Sequence, residues 1–263
     1  MSALLGPALT GSLRYEALMA ARQRGLWVAT VPLVALSLLA AVASPSLNGL
    51  RETSAQIGAW AVVINLFSTL GLAVALADRF ARARRRGLPD LLDATAARPA
   101  VRMIGGLLGS LGAALIPVTV AMLTVGAGFA VDRRDPSALG WALLALLVVI
   151  VPAALLATAF AATLGLLVPV PLARVLVVGA WGWATVWNTS IIPAPTVTGT
   201  VLSPLGDYTA HGWLGAPALY AGHGAAVLSP PVTPTSAAIA LAALLGATVV
   251  LLVLARALRA ART

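Results

Sequence analysis

The chain has 263 residues, of which 60% are hydrophobic and 10% are charged. A soluble domain carries about 25% charged residues because its surface faces water, so this composition excludes a soluble globular protein. All 17 basic residues are arginines, and there is no cysteine. These absences exclude a P-loop with its lysine, a lysine Schiff base, a disulfide framework and a thiolate metal site. The composition indicates an integral membrane protein with no nucleotide site of its own.

An amphipathic stretch precedes the first apolar run. Ser12 is predicted to cap a short helix that ends near Gly25, so that the helix covers residues 12–25. Tyr15 and Leu18 share one side of this helix, and charged residues take much of the rest. Such a helix is expected to lie in the inner membrane interface as an elbow before the chain enters the bilayer.

Six apolar runs are long enough to cross the hydrocarbon core, which takes about 20 helical residues. They cover residues 27–43, 56–77, 103–130, 138–168, 172–192 and 236–255. The fourth run contains Pro152 and is longer than a straight span needs, so it must tilt, kink or project beyond the bilayer. A competing interpretation treats the first run as a cleaved signal peptide, but the run exceeds the usual length of about 7–15 residues.

The arginines are distributed unevenly between the two ends of these runs. With a cytoplasmic N-terminus, only Arg51, Arg133 and Arg134 lie outside, and the other 14 of the 17 lie inside. This asymmetry follows the positive-inside rule and predicts one multi-pass transmembrane domain, residues 1–263, with both termini cytoplasmic. The net charge of +9 is then an orientation signal that favours contact with anionic membrane lipids rather than nucleic acid. The exclusive use of arginine suggests a GC-rich bacterium, and therefore a bacterial plasma membrane.

The interiors of the six runs lack acids and histidines, and their only arginine, Arg174, is at the edge of the fifth. This argues against an ion-coupled transporter and an intramembrane metalloprotease, which need ionisable groups near the bilayer centre. No metal site and no catalytic residue are predicted. The polar groups that the runs do contain are a candidate substrate route, with interhelical hydrogen bonding as the alternative: Asn65, Ser68, Thr69, Thr185 and Asn188.

Gly105 and Gly109 form a GxxxG pair in the third run. Two glycines at this spacing let another helix approach closely. The partner helix is expected either within the same bundle or in a second subunit.

The loop over residues 79–102 joins two apolar runs with more residues than a turn needs. Within it, residues 88–97 are predicted to form a short cytoplasmic helix, with Pro89 in its first turn and Arg98-Pro99 at its end. Its exposed leucine pair favours a groove on a partner protein. The residues expected to contact that partner are Leu88, Asp90, Leu91, Leu92, Asp93 and Thr95. The alternative is a solvated basic loop that only fixes the topology.

The outer segment, residues 193–235, is too apolar for a freely solvated loop of this length. Its many prolines and glycines also leave no uninterrupted run that could cross a bilayer. It is predicted to form a re-entrant or interfacial helical hairpin between the fifth and sixth spans, packed on both of them. The alternative is a flexible external loop.

The chain resembles the permease subunits of type-two ABC exporters. The resemblance rests on the order Arg85-Arg86-Gly87, Leu91-Leu92 and Ala94-Thr95 before a glycine-rich third run, together with the arrangement of elbow, six spans and outer segment. Ala96 stands where the family usually has proline, and the third run lacks the lysine that is frequent there.

This resemblance implies an all-α membrane protein that is a transport subunit and not an enzyme. Two permeases, identical or different, would work with two copies of a separate ATPase that binds ATP and Mg²⁺, and residues 88–97 would be the coupling helix. The transported substrate would be a hydrophobic or amphipathic lipid, drug or peptide, exported by alternating access. Two alternatives remain: a structural or assembly subunit that recruits a cytoplasmic partner through loop 79–102, and a secondary transporter or membrane enzyme.

Overall fold

A computed structural model describes residues 5–78, 99–187, 195–223 and 227–261, and in these ranges the protein is helical with no strand. The helices are α1 (Leu5–Ala21), α2 (Arg24–Val42), α3 (Pro45–Asn48), α4 (Thr53–Leu76), α5 (Pro99–Ala114), α6 (Ile116–Asp132), α7 (Ala138–Ala145), α8 (Val151–Leu167), α9 (Val170–Thr185), α10 (Asp207–Leu214) and α11 (Pro234–Ala260). A π-helical turn, Leu146–Ile150, joins α7 to α8.

Several of these helices are long and apolar enough to cross a membrane. Four candidates meet this description, namely α2, α4, the 30-residue unit from α7 to α8, and α11. The bent pair of α5 and α6 raises the number to five. The all-helical, multi-pass membrane class is therefore confirmed. Helix α9 has only 16 residues, fewer than the 20 or so that a span needs, so the count of six stays a prediction.

The N-terminal helix is longer than the predicted elbow. Ser12, the expected cap, lies inside α1, and its hydroxyl donates to the Arg102 carbonyl oxygen at 3.5 Å. Helix α1 begins before Ser12, whose side chain therefore contacts α5 instead of capping the first turn. The chain instead breaks at Arg22 and Gln23, and Gly25, the expected end of the elbow, lies in the first turn of α2.

The GxxxG pair brings α1 against α5. A Cβ atom at Gly105 would lie 2.7 Å from Ser12 Oγ, and one at Gly109 would overlap the Leu13 carbonyl oxygen. Only glycine at these two positions allows so close an approach of two helix backbones. The pair therefore serves packing within one chain.

Prolines and a π-helical turn shape the third and fourth predicted spans. Helices α5 and α6 meet at 45°, and the bend falls at Leu115, just before Pro117. Proline lacks the N–H that would continue the helical hydrogen bonds, which explains a bend here. The fourth span is helical throughout, but the π-helical turn widens it immediately before Pro152.

The buried interior contains clusters of different composition, one with large aliphatic side chains and another that is mostly alanine. The main cluster joins α2, α4, α6, α7 and α10, and its fully buried side chains include Ile57, Ile64 and Met122. Alanines dominate a second cluster between α4, α8 and α9, where they let the helices approach closely. The outward faces are also apolar: Val28 is 72% exposed and Val250 is 66% exposed. Exposed aliphatic faces of this kind fit a lipid environment.

Candidate functional site

Three buried polar side chains lie near the middle of the 24-residue helix α4. The Asn65 Nδ2 group donates to the carbonyl oxygens of Pro204 and Leu205, both at 2.9 Å. Thr69 Oγ1 donates to Asn65 Oδ1 at 2.6 Å, and Ser68 donates back to the Ile64 carbonyl oxygen. Asn65, Ser68 and Thr69 are all fully buried. Asn65 therefore fixes a turn of the outer segment at the depth of the α4 midpoint.

The π-helical turn and a glycine allow the outer segment to reach this depth. Gly206 has a φ of +80°, and a Cβ atom there would lie only 2.6 Å from Val149 Cγ1 in the π-helical turn. The left-handed conformation and the close contact both require glycine. On the other side of the turn, Ser203 Oγ donates to the Ala184 carbonyl oxygen at 3.0 Å. The turn is thus held between α4, α9 and the π-helical turn.

A buried carboxylate organises the rest of the outer segment. Asp207 is 3% exposed and accepts three backbone N–H groups, from Leu219 at 3.1 Å, Tyr220 at 2.7 Å and Ala221 at 2.6 Å. These bonds close the chain that follows α10 into a compact loop. Burial raises the pKa of the neighbouring Tyr208 phenol, which donates to the Pro230 carbonyl oxygen at 3.0 Å.

The outer segment is therefore packed rather than flexible where it is described. Nearly all of residues 198–210 are buried, and α10 contacts α4 and α11. The described residues of the outer segment that precede α11 contain one helix, α10, and not the pair of helices of the predicted hairpin. The difference has a local cause, because the chain around α10 is bonded to Asp207 and to α4 rather than to a second antiparallel helix.

An apolar cavity of about 210 Å³ lies between α8, α9, α11 and the outer segment. Trp181 forms part of its wall, and its indole Nε1 donates to the Leu66 carbonyl oxygen at 2.8 Å. Other lining residues are apolar as well, including Leu156, Phe160, Val177, Leu202 and Leu251. A cavity with this lining has no charged group for acid–base or metal chemistry, but it can contact a hydrophobic molecule.

The structure brings part of the predicted substrate route together. Asn65 and Thr69 are bonded to each other, whereas Ser68 donates back to the Ile64 carbonyl oxygen and Thr185 to the Trp181 carbonyl oxygen at 2.7 Å. These hydroxyl and amide donors are satisfied inside the protein, as expected of interhelical and back-bonded hydrogen bonds. Whether these side chains also contact a substrate stays a prediction.

The remaining predicted site residues lie outside the described part of the chain. This holds for Asn188 and for the whole set of expected partner contacts: Leu88, Asp90, Leu91, Leu92, Asp93 and Thr95. Two further residues, Asp207 and Pro204, were not predicted as site residues from the sequence. Asp207 is the one acid of the outer segment, and a lone acid in an apolar stretch is the signal that could have pointed to it.

Among the described residues, no three acids or histidines lie close enough to hold a metal ion. Neither His211 nor His223 takes part in such a group. His211 Nδ1 lies 2.7 Å from the Ala216 carbonyl oxygen within the outer segment. Comparisons with protein-family models, with curated proteins and with solved structures find no match to this chain.

Proposed function

We propose that this chain is the permease subunit of an ATP-driven ABC exporter of the second type. In this proposal two permeases, identical or not, form the membrane part, and two copies of a separate ATPase bind ATP and Mg²⁺. The chain crosses a bacterial plasma membrane six times, with both termini in the cytoplasm. The sequence order of elbow, basic loop and outer segment supports this assignment, and the loop over residues 79–102 is the observation that carries it.

Close packing of the helices on either side of this loop supports a mechanical coupling role. Before the loop, the end of α4 packs against α8 so closely that a Cβ atom at Gly165 would overlap the Ala77 carbonyl oxygen. After the loop, α5 packs on α1 through Gly105 and Gly109. Interiors packed at this density transmit small displacements instead of absorbing them. Movement of the loop by an ATPase would therefore tilt two helix pairs, α4 with α8 and α5 with α1.

The apolar cavity, which the outer segment helps to line, is the proposed exit part of the export route. Its volume of about 210 Å³ is smaller than the roughly 300–1,000 Å³ of a pocket that encloses a drug-sized ligand. A hydrophobic lipid, drug or peptide would pass only after α8 and α9 separate. The outer segment would cover the exit in the closed state, where Asn65 holds it, and ATP must bind one conformation more tightly than the other to drive the change.

The test is co-purification of the ATPase with a variant of the loop. The tagged chain, extracted from native membranes in mild detergent, is expected to carry a P-loop ATPase that mass spectrometry identifies. The double variant Leu91→Asp and Leu92→Asp should lose it, because each change removes about 1.5–3 kcal/mol of burial and adds a charge to an apolar contact.

The matched control carries the same two changes in the outer segment, Leu219→Asp and Val227→Asp, at residues that are 50% and 93% exposed. This control is expected to retain the ATPase. Unchanged ATPase recovery with the loop variant would contradict the coupling helix. Recovery of a cytoplasmic protein without a P-loop would favour the assembly subunit instead.

A further inference from the structure

A second cavity lies at the opposite end of the bundle from the outer segment. Its volume is about 420 Å³, and it opens where α2 and α9 begin and α4 ends. Two arginines line it, Arg24 in the first turn of α2 and Arg174 in the second turn of α9. Four apolar residues of α2 and α4 line it further along the two helices: Leu26, Ala29, Val74 and Ala75.

The described residues at this cavity carry more positive than negative charge. Arg174 Nη2 lies 3.9 Å from Asp78 Oδ2, which offsets one positive charge. Among the described residues, no acid lies within ion-pair distance of Arg24. The Arg174 Nε group is buried and has no hydrogen-bond acceptor in the part of the chain that the structure describes. An excess positive charge beside an unused buried donor favours an anionic group that accepts hydrogen bonds from both arginines.

The apolar wall indicates what kind of anion fits. Leu26 and Ala29 lie on α2, and Val74 and Ala75 lie on α4, and both helices are long and apolar enough to cross a membrane. Arg24 lies at the start of α2, Arg174 lies near the start of α9, and the apolar wall runs from this end into the bundle. If α2 and α4 cross a bilayer, this end reaches the level of the lipid phosphates. A soluble anion would use the arginines but leave this wall exposed to water, whereas a phospholipid would contact both.

We infer that this cavity binds one anionic phospholipid. Arg24 and Arg174 hold its phosphate, and the wall formed by α2 and α4 contacts the first part of an acyl chain. A volume of about 420 Å³ falls within the range of ligand pockets, roughly 300–1,000 Å³, and accommodates a headgroup. The inference does not depend on the transport proposal, because it requires only that α2 and α4 lie in a membrane.

Native mass spectrometry of the full chain in detergent tests the inference. The protein is titrated separately with phosphatidylglycerol, with zwitterionic phosphatidylcholine and with inorganic phosphate. One phosphatidylglycerol is expected to bind more tightly than further copies. The double variant Arg24→Gln and Arg174→Gln should weaken this first binding by about tenfold for each arginine removed. The control, Arg51→Gln with Arg134→Gln, removes two exposed arginines at the other end of the bundle and should leave the binding unchanged.

Because Arg174 also pairs with Asp78, the single variant Arg24→Gln separates lipid binding from folding. It should weaken phosphatidylglycerol binding about tenfold while the helical content stays the same. Unchanged binding in this variant would overturn the site, and so would equal retention of phosphatidylcholine. Displacement of phosphatidylglycerol by inorganic phosphate at the same concentration would assign the arginines to a soluble anion and overturn the lipid.

Discussion

Arg133, at the end of α6, connects this helix to the start of α4 through hydrogen bonds. Its guanidinium donates to the carbonyl oxygens of Arg51 at 2.7 Å and Leu50 at 2.8 Å and to the Gln56 side chain. It also lies 5.3 Å from the centre of the Phe129 ring. The position of this arginine in the sequence predicted only an orientation signal, whereas the structure gives it a structural role between α6 and the start of α4.

Replacing Arg133 with Gln should lower the free energy of unfolding by about 2 kcal/mol, because the carbonyl oxygens of Arg51 and Leu50 lose a charged donor. For a chain of this size, that corresponds to a fall of about 4–8 °C in the midpoint of thermal unfolding in detergent. The matched control is Arg134→Gln, at an exposed neighbour, and it should shift the midpoint little. An equal shift in both variants would show that overall charge matters and not these hydrogen bonds.

Asp207 should hold the outer segment closed through its three backbone hydrogen bonds. A single cysteine at Leu214, which is 1% exposed, should react slowly with a membrane-impermeant maleimide, and one at Val227, which is 93% exposed, should react rapidly. The change Asp207→Ala leaves three N–H groups without their acceptor and should speed labelling at Leu214 by at least about tenfold.

The control for Asp207 is Asp132→Ala, which removes an exposed acid at the end of α6. This variant should leave the labelling rate at Leu214 unchanged. Since the native chain has no cysteine, each rate reports one position. Rapid labelling of Leu214 and Val227 alike in the otherwise native chain would indicate a flexible external loop.

At the scale of elements, the contact between α1 and α5 depends on the absence of side chains. The change Gly109→Ala places a Cβ atom on the Leu13 carbonyl oxygen, and overpacking of this kind costs about 1–3 kcal/mol. The change Gly112→Ala, one turn further along α5, meets nothing within 4 Å and should stabilise the helix by about 0.5–1 kcal/mol. Thermal unfolding should therefore shift in opposite directions for the two variants.

Limited trypsin digestion completes this test, since Arg22 follows α1 directly. Release of α1 by Gly109→Ala should speed cleavage at Arg22, and Gly112→Ala should leave cleavage unchanged. Equal cleavage rates at Arg22 in both variants would mean that α1 does not depend on this glycine pair for its position.

Local patterns predicted the helices well and the contacts between distant segments poorly. The apolar runs over residues 56–77 and 236–255 coincide closely with α4 and α11, because the hydropathy of consecutive residues decides where a membrane helix forms. The link from Asn65 to Pro204 joins positions 139 residues apart, and no local pattern contains that information. Ser12 was expected to begin a helix for the same reason, since its contact with α5 is not local.

At the scale of the whole molecule, the two ends of the bundle carry different polar groups. One end carries the outer segment, whose polar groups are bonded to Asp207 and Asn65. The other end carries Arg24, Arg174 and the two helix ends that flank residues 79–98. The proposed transport cycle connects them, because displacement at the second end would tilt α4, and the turn bonded to Asn65 would move with it.

Accessibility of the apolar cavity during the ATPase cycle tests this connection most directly. A single cysteine at Leu202, which lines the cavity, is labelled with a membrane-impermeant maleimide in vesicles that contain the chain and its ATPase. The labelling rate should change severalfold between the nucleotide-free state and the state trapped with ATP, Mg²⁺ and vanadate, while a cysteine at Val227 should label at the same rate in both. Equal rates at Leu202 in the two states, with the ATPase bound and active, would contradict the proposed export mechanism.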